Sequence, residues 1–108
     1  MTDYLLIQSR DPFESRSAAE FYELAAGLAK SGSNVILFLI QDGVLPAREC
    51  GESAALADIA AAGVQVLADN FSLHERGIAF DGLIPAVKAA DVAAVVDGMA
   101  AGRKTIWN

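Results

Sequence analysis

The chain has 108 residues, a length that suits a single domain with one modest hydrophobic core. Its formal net charge of −6 argues against direct binding to nucleic acid, because phosphate contacts need a concentrated basic surface and the basic residues here are scattered. No apolar run is long enough to span a membrane, and the acidic start of the chain does not fit a secretory signal, so we expect a cytoplasmic protein.

Two further features of the composition concern chemistry and assembly. The single cysteine, Cys50, excludes an internal disulfide and a multi-cysteine metal site. Apolar residues make up 54% of the chain, which is more than so short a domain can bury. We therefore expect part of the surface to lie in an oligomer interface, although alanine, which is tolerated on surfaces, contributes to that percentage.

The first half of the chain predicts two strands separated by a helix. Residues 4–8 (YLLIQ) form a short apolar run typical of a strand. From Ser17 onward apolar residues recur at helical spacing; Ser17 and Glu20 fit a capping box, and Gly32 is placed to end the helix. The run at 35–40 (VILFLI) is apolar without alternation, which indicates a parallel strand covered on both faces.

The second half continues the alternation of helices and strands. After a loop at 44–51, the sequence predicts a helix at 53–62, a strand at 64–67, a short helical turn at 72–76, a loop at 78–85, a weak strand at 86–89, a helix at 91–101 and a last strand at 104–107. Right-handed crossovers would combine these elements into one doubly wound, mainly parallel sheet of about five strands. The predicted fold is a single three-layer, Rossmann-like α/β domain over residues 1–108.

Polar residues follow the predicted strands at the edge where such sheets bind ligands. Asp42 and Gly43 come after the second strand, Asp69 and Asn70 after the third, and Arg76 lies a few residues further on. Each also has a purely structural interpretation. Asp42 and Gly43 suit a turn, and Asp69 and Asn70 suit the cap of the next helical turn. Arg76 could anchor a subunit contact or an anion, and a surface ion pair is its structural alternative.

Several sequence motifs of enzymes are missing. The chain has no G-x-G-x-x-G, no Walker-type loop and no G-x-S-x-G elbow, so we predict no cofactor. One histidine and one cysteine cannot form a tetrahedral zinc site, and no metal is predicted. Cys50 and His74 could pair as nucleophile and base, since both follow neighbouring strand ends, but an exposed His74 without a catalytic role is the simpler interpretation.

Four segments together resemble a known family. They are DPFES at 11–15, ILFLIQDGV at 36–44, GVQVLADNFSLHERGI at 63–78 and TIW at 105–107. With these segments the chain resembles the DsrE/DsrF/DsrH family of sulfur-relay proteins, most closely the DsrH-like (TusB-like) branch. Members of that branch similarly have a strand ending in a DG turn, an R-G pair after the third strand and a C-terminal tryptophan. Trp107 would be an interface or core aromatic.

The resemblance implies a Rossmann-like subunit of an oligomeric complex in which a cysteine carries sulfane sulfur as a persulfide between partner proteins. The family's cysteine typically lies just after the third strand, or, in DsrH-like members, on the first helix. Here the first region reads ADNFS (68–72) and the helix reads AAEFYELAAGLA (18–29), both without a thiol. Cys50 is then the candidate carrier.

Neighbouring charges have opposite effects on the ionisation of the Cys50 thiol. The cysteine precedes a predicted helix, whose N-terminal amides favour a thiolate, and Arg48 adds to that effect. Glu49 and Glu52 oppose it, because a nearby negative charge disfavours a second one. An incidental loop cysteine is the alternative to a sulfur carrier.

Three functions stay open at this point. The chain is a sulfur-relay subunit that either carries sulfur on Cys50 or supports a partner that does; or it binds a small ligand near Asp42, Asp69 and Asn70 without using a thiol; or it has a purely structural role in assembly. The expected partners are subunits of the same family, in a homo- or hetero-oligomer, together with proteins that donate or accept sulfur.

Overall fold

Five parallel strands form one sheet in the computed structural model, which describes residues 2–49 and 53–108. The strands, in chain order, are β1 (Asp3–Gln8), β2 (Asn34–Leu39), β3 (Gln65–Asp69), β4 (Val87–Ala90) and β5 (Lys104–Trp107). Their order across the sheet is β4-β3-β2-β1-β5, and every neighbouring pair is parallel. The predicted α/β fold is confirmed.

The connections contain four α-helices and two 3-10 helices within the described residues. The α-helices are α1 (Arg16–Lys30), α2 (Ser53–Ala61), α3 (Asn70–Glu75) and α4 (Ala93–Ala100); the 3-10 helices are Gln41–Ala47 and Phe80–Gly82. The segment after β2, predicted as a loop from residue 44, is therefore partly helical. Pro46 lies inside it without disrupting it, because the fixed φ of proline falls in the range that a 3-10 helix uses.

The start of α1 differs from the predicted capping box. Ser15, not Ser17, is the N-cap residue, and its side chain makes no cap hydrogen bond. The two hydroxyls instead bond each other, with their Oγ atoms 2.7 Å apart. Ser17 thus lies inside the first turn and the predicted capping box is wrong. At the other end Gly32, with φ of 98°, takes up the left-handed conformation that ends the helix, as predicted.

The strand order determines which face of the sheet each helix covers. From β1 to β4 the chain advances in one direction, so right-handed connections place α1, α2 and α3 on the same face, here called the first face. Only α4 runs back, from β4 to β5, and covers the second face. The core of the first face includes Leu6, Leu37, Val66, Phe21 and Leu56. The core of the second face consists of Leu5, Ile7, Phe38, Leu67 and Val95.

The second face has a thin cover, because α4 is only eight residues long. Val92, Val96 and Met99 follow one another at helical spacing along one side of this helix and are 62%, 60% and 48% exposed. Trp107 on β5 is in register with Ile7, so its side chain leaves the sheet on the second face, where it is 61% exposed. We call these four side chains the apolar stripe. Trp107 is not a core residue, which removes one of its two predicted roles.

The last residue ties β5 to the loop after β1. The backbone N–H of Asn108 donates to the carbonyl of Ile7, and the N–H of Ser9 donates to the carbonyl of Asn108, both at 2.8 Å. The Nδ2 of Asn108 also donates to Oε1 of the fully buried Gln8 at 2.9 Å. The first and last strands are therefore held together by side chains as well as by the sheet.

Candidate functional site

An ion pair joins the segments that follow β2 and β3 at the carboxyl edge of the sheet. Nη2 of Arg76 lies 2.9 Å from Oδ1 of Asp42, and Nε of Arg76 donates to the same oxygen at 3.2 Å. Nη1 of Arg76 donates to the backbone carbonyl of Ser72 at 3.3 Å. All three nitrogens of the guanidinium group thus have partners within the protein, so Arg76 serves to hold the two segments together.

A buried carboxylate lies beside this pair. Asp69, the last residue of β3, is 8% exposed and is the N-cap of α3. Its Oδ2 accepts hydrogen bonds from the backbone N–H of Ser72 at 2.9 Å and from the Ser72 hydroxyl at 2.7 Å. Its Oδ1 accepts no hydrogen bond within the part of the chain that the structure describes. One oxygen of Asp69 is therefore structural and the other is unused.

Ser72 also controls the segment after β2. Its Oγ accepts a 2.8 Å hydrogen bond from the backbone N–H of Gln41. Gln41 has a φ of 52°, in the left-handed region, which costs a residue with a side chain about 1–2 kcal/mol. The hydrogen bond that Gln41 donates to Ser72 stabilises this conformation and fixes the direction in which the chain leaves β2.

Gly43 and Asn70, both predicted site residues, have other surroundings. Gly43 is buried against the end of β1, where a Cβ atom would clash with the carbonyl oxygen of Gln8. Its role is to let two backbone segments approach closely. Asn70, the first residue of α3, has a buried Oδ1 that lacks a hydrogen-bond partner among the described residues. Neither residue lines the cavity at this edge that contains Asp69.

That cavity has a volume of about 410 Å³. Asp69, Glu75 and Arg76 supply its charged groups, and Ile40, Phe71 and Val92 supply apolar walls. The structure thus brings Asp69 and Arg76 together at one cavity and links Asp42 to it through the ion pair. Phe71 and Val92 are 70% and 62% exposed, so the apolar side of the cavity is open.

Sequence reasoning missed several of these residues. Gln41, Ser72 and Phe71 were not among the predicted site residues, and a backbone conformation such as that of Gln41 leaves no reliable trace in a sequence. The spacing Asp69-x-x-Ser72 was a usable signal, because an Asp at an N-cap accepts a hydrogen bond from the residue three positions later.

The structure describes only one of the two side chains, Cys50 and His74, that could pair as nucleophile and base. Cys50, the candidate sulfur carrier, lies outside the described residues, so neither its carrier role nor a pairing with His74 is tested. His74 itself is exposed on α3.

Among the described residues, no group of three or more His, Cys, Asp or Glu side chains is arranged to hold a metal ion. None of the described helices combines the length and apolar character needed to cross a membrane.

Comparison with known proteins identifies the family to which the chain belongs. A sequence model of the DsrE/DsrF-like family matches residues 2–107. The chain belongs to the DsrE/DsrF-like family. No functionally curated protein has significant sequence similarity to it. The matched range extends from β1 to β5, so it includes every element that contributes to the Asp69 cavity.

Solved structures share the fold of this DsrE/DsrF-like chain at low sequence identity. YchN from E. coli superposes with a TM-score of 0.88 at 20% identity, covering 100% of both chains. The protein of unknown function MTH1491 from Methanobacterium thermoautotrophicum gives a TM-score of 0.82 at 20% identity, covering 99% of this chain and 98% of that one. BT1422 from Bacteroides thetaiotaomicron, also of unknown function, gives 0.72 at 15% identity, covering 98% of this chain and 95% of that one.

Proposed function

We propose that this DsrE/DsrF-like chain is a subunit of a cytoplasmic sulfur-relay assembly and that it carries no sulfur at the end of β3. The observation that supports this is the chemistry of the segment at 69–72. The family resemblance places a sulfur-carrying thiol just after the third strand, and this chain has a carboxylate, an amide, an aromatic ring and a hydroxyl there. None of these groups can form a persulfide.

The hydrogen bonds of this segment support a fixed, non-carrier role. Asp69 and Ser72 bond each other and Ser72 accepts from Gln41, so Oδ2 of Asp69 and the Ser72 hydroxyl are engaged within the protein. A subunit of this kind would contribute a surface to an assembly in which another subunit holds the sulfur. The narrower likeness to DsrH-like members is part of the same proposal.

The apolar stripe is the surface that we assign to a neighbouring subunit of the same family. Val92, Val96, Met99 and Trp107 place exposed apolar area on the one face of the sheet that has only a single short helix. Apolar side chains grouped on one face of a small protein mark an association surface, and Trp and Met are enriched in such interfaces. The high apolar content of the chain agrees with this assignment.

Cys50 is the alternative carrier. Arg48 and Glu49, the two residues before it, line with Arg76 a second cavity of about 410 Å³. In a transfer to Cys50, its thiolate would attack the outer sulfur of a partner's persulfide; a new S–S bond would form on Cys50 as the partner's S–S bond broke, releasing the partner's cysteine as a thiolate. The exchange involves no net oxidation or reduction.

Reconstitution with a thiol-bearing relative tests the proposal. The chain is mixed with a DsrE-family protein from the same cell that has a cysteine after its third strand and is loaded with persulfide. We expect a stable complex by size-exclusion chromatography, and intact mass spectrometry that finds the extra sulfur on the relative alone, for both the native chain and Cys50→Ser. Sulfur that moves to the native chain but not to Cys50→Ser would make Cys50 the carrier and overturn the non-carrier assignment. Absence of both complex and transfer would overturn the sulfur-relay proposal.

The surface assignment has its own matched variants. Val96→Ser and Trp107→Ser should weaken the complex, because each removes apolar area from the stripe. Phe80→Ser serves as the control, since Phe80 is similarly exposed at 63% but belongs to the 3-10 helix before β4 rather than to the second face. Equal weakening by all three variants would show that general exposure of apolar groups, not this surface, drives association.

A further inference from the structure

We propose that the cavity beside Asp69 binds a small organic cation, specifically a primary amine attached to an aromatic or similarly apolar body. The inference depends on no thiol, and it shares only Val92 with the apolar stripe, so its test is independent of the sulfur-relay proposal. The relevant groups are the carboxylates of Asp69 and Glu75 and the apolar side chains of Ile40, Phe71 and Val92, all of which line the cavity.

The charge balance of the cavity favours a cation. Asp69 and Glu75 are both carboxylates, and the one cation among the lining residues, Arg76, is already paired with Asp42. Three of the five N–H groups of that guanidinium group donate to acceptors in the protein, and the Asp42 carboxylate offsets its charge, so Arg76 does not reverse the negative balance of the cavity. A ligand with a positive charge would meet a net negative surface.

Asp69 is built to accept one further hydrogen bond. The side chain is 8% exposed, and its position is fixed through Oδ2 by the backbone N–H and the hydroxyl of Ser72. Oδ1 has no partner among the described residues and keeps some contact with solvent, so a donor from outside the protein can reach it. An ammonium group at this oxygen would supply the missing donor as a charge-assisted hydrogen bond, which is stronger than one between neutral groups.

The walls indicate what the amine is attached to. Phe71 is 70% exposed and Val92 62% exposed, and both lie at the same cavity as Ile40. An aromatic ring on the ligand could stack on Phe71, and the ammonium group would gain a cation–π contribution from the same ring. The volume of about 410 Å³ falls within the range of small-molecule sites, toward its small end.

The test uses 2-phenylethylamine as the probe, with 2-phenylethanol and phenylacetate as neutral and anionic analogues of similar shape. Backbone amide resonances of the full chain are followed by NMR during titration of each compound. We expect saturable shifts centred on Gln41, Phe71 and Ser72 with the amine, and binding at least about tenfold weaker with the two analogues, since each lacks the charged donor. Equal binding of all three compounds, or no saturable shift with the amine, would overturn the proposal.

Variants separate the cavity from general attraction of a cation to an acidic protein. Asp69→Asn, Phe71→Ala and Glu75→Gln should each weaken binding of the amine. Asp97→Asn and Phe80→Ala are the controls, because Asp97 and Phe80 are exposed residues that do not line the cavity. Asp69→Asn could also disturb the bonds to Ser72, whereas Phe71 is an exposed side chain whose removal leaves them intact. Unchanged binding in Phe71→Ala and Glu75→Gln, with a folded spectrum, would contradict the assignment.

Discussion

The backbone N–H of Gln41 donates a 2.8 Å hydrogen bond to the hydroxyl oxygen of Ser72, across 31 residues of sequence. This bond connects the end of β2 with α3, and the same hydroxyl donates to Asp69 at the end of β3. At the carboxyl edge of the sheet, this one serine therefore connects the ends of β2 and β3, in addition to the ion pair between Asp42 and Arg76.

Ser72→Ala tests the contribution of that hydroxyl to stability. The substitution leaves the N–H of Gln41 without its acceptor and Oδ2 of Asp69 with one donor instead of two. Because Ser72 is buried, we expect the free energy of unfolding to fall by about 1–3 kcal/mol, measured by urea denaturation. Ser31→Ala is the control: its hydroxyl bonds the Leu28 carbonyl in an exposed position, and the loss should stay within about 0.5 kcal/mol. Similar losses in the two variants would contradict the role given to Ser72.

Gly43→Ala should destabilise the fold by about 1–3 kcal/mol, because an added methyl group at this position meets the backbone of Gln8, which cannot move without disturbing β1. Thermal unfolding followed by circular dichroism measures the change. Gly27→Ala provides the opposite expectation. It lies within α1 with open space around it, so the better helix propensity of alanine should stabilise the protein by about 0.5–1 kcal/mol. A Gly43→Ala protein as stable as the native one would show that the two segments can separate at little cost.

The ion pair between Asp42 and Arg76 should contribute only modestly to stability. The side chains are 58% and 27% exposed, so water and salt screen the charges. A double-mutant cycle with Asp42→Asn and Arg76→Gln should give a coupling of about 0.2–1 kcal/mol, and the coupling should decrease when sodium chloride is added. A coupling that did not respond to salt would indicate that the pair is less accessible than the structure shows.

Trp107 offers a spectroscopic measure of assembly, because it is the only tryptophan and belongs to the apolar stripe. At high dilution its fluorescence emission should be that of a largely exposed indole. With rising protein concentration, or on addition of a thiol-bearing relative, burial should shift the emission toward shorter wavelength. Met99→Ser should reduce the shift, since it removes a neighbouring part of the stripe. An emission maximum that stays constant while the complex forms would place the interface elsewhere.

The sequence predicted the strands and α-helices of the fold, but not the 3-10 helix at Gln41–Ala47. The apolar runs at 35–40 and 64–67 correspond to β2 and β3, which lie inside the sheet and are covered on both faces, so their residues show no alternation. The weak strand predicted at 86–89 corresponds to β4 (Val87–Ala90). This strand lies at the edge of the sheet and is less buried than β2 and β3, so fewer of its residues need to be apolar. The extent of the cover on the second face was not predictable, since it depends on where α4 crosses the sheet.

The sequence predicted where the candidate site lies, but it identified only some of the residues that form it. Loop placement identified Asp69 and Arg76, because polar residues after parallel strands gather at one edge. It also selected Gly43 and Asn70, which do not line the cavity, because a sequence does not indicate the direction of a side chain after a strand ends. Phe71 and Val92 come together from segments on either side of β4, and no local pattern relates two such residues.

The position of β5 has a consequence for how the chain reaches this structure. β1 lies between β2 and β5, and the bond from Asn108 to Gln8 joins residues 100 positions apart. A growing polypeptide can pair β1 with β2 early, but the other edge of β1 stays open until nearly the whole domain has been synthesised. Pairing over such a separation is entropically costly, so its closure should be a slow, late step of folding. Until then Leu5, Leu6 and Ile7, all buried in the finished protein, form an exposed strand edge that other unfinished chains can pair with.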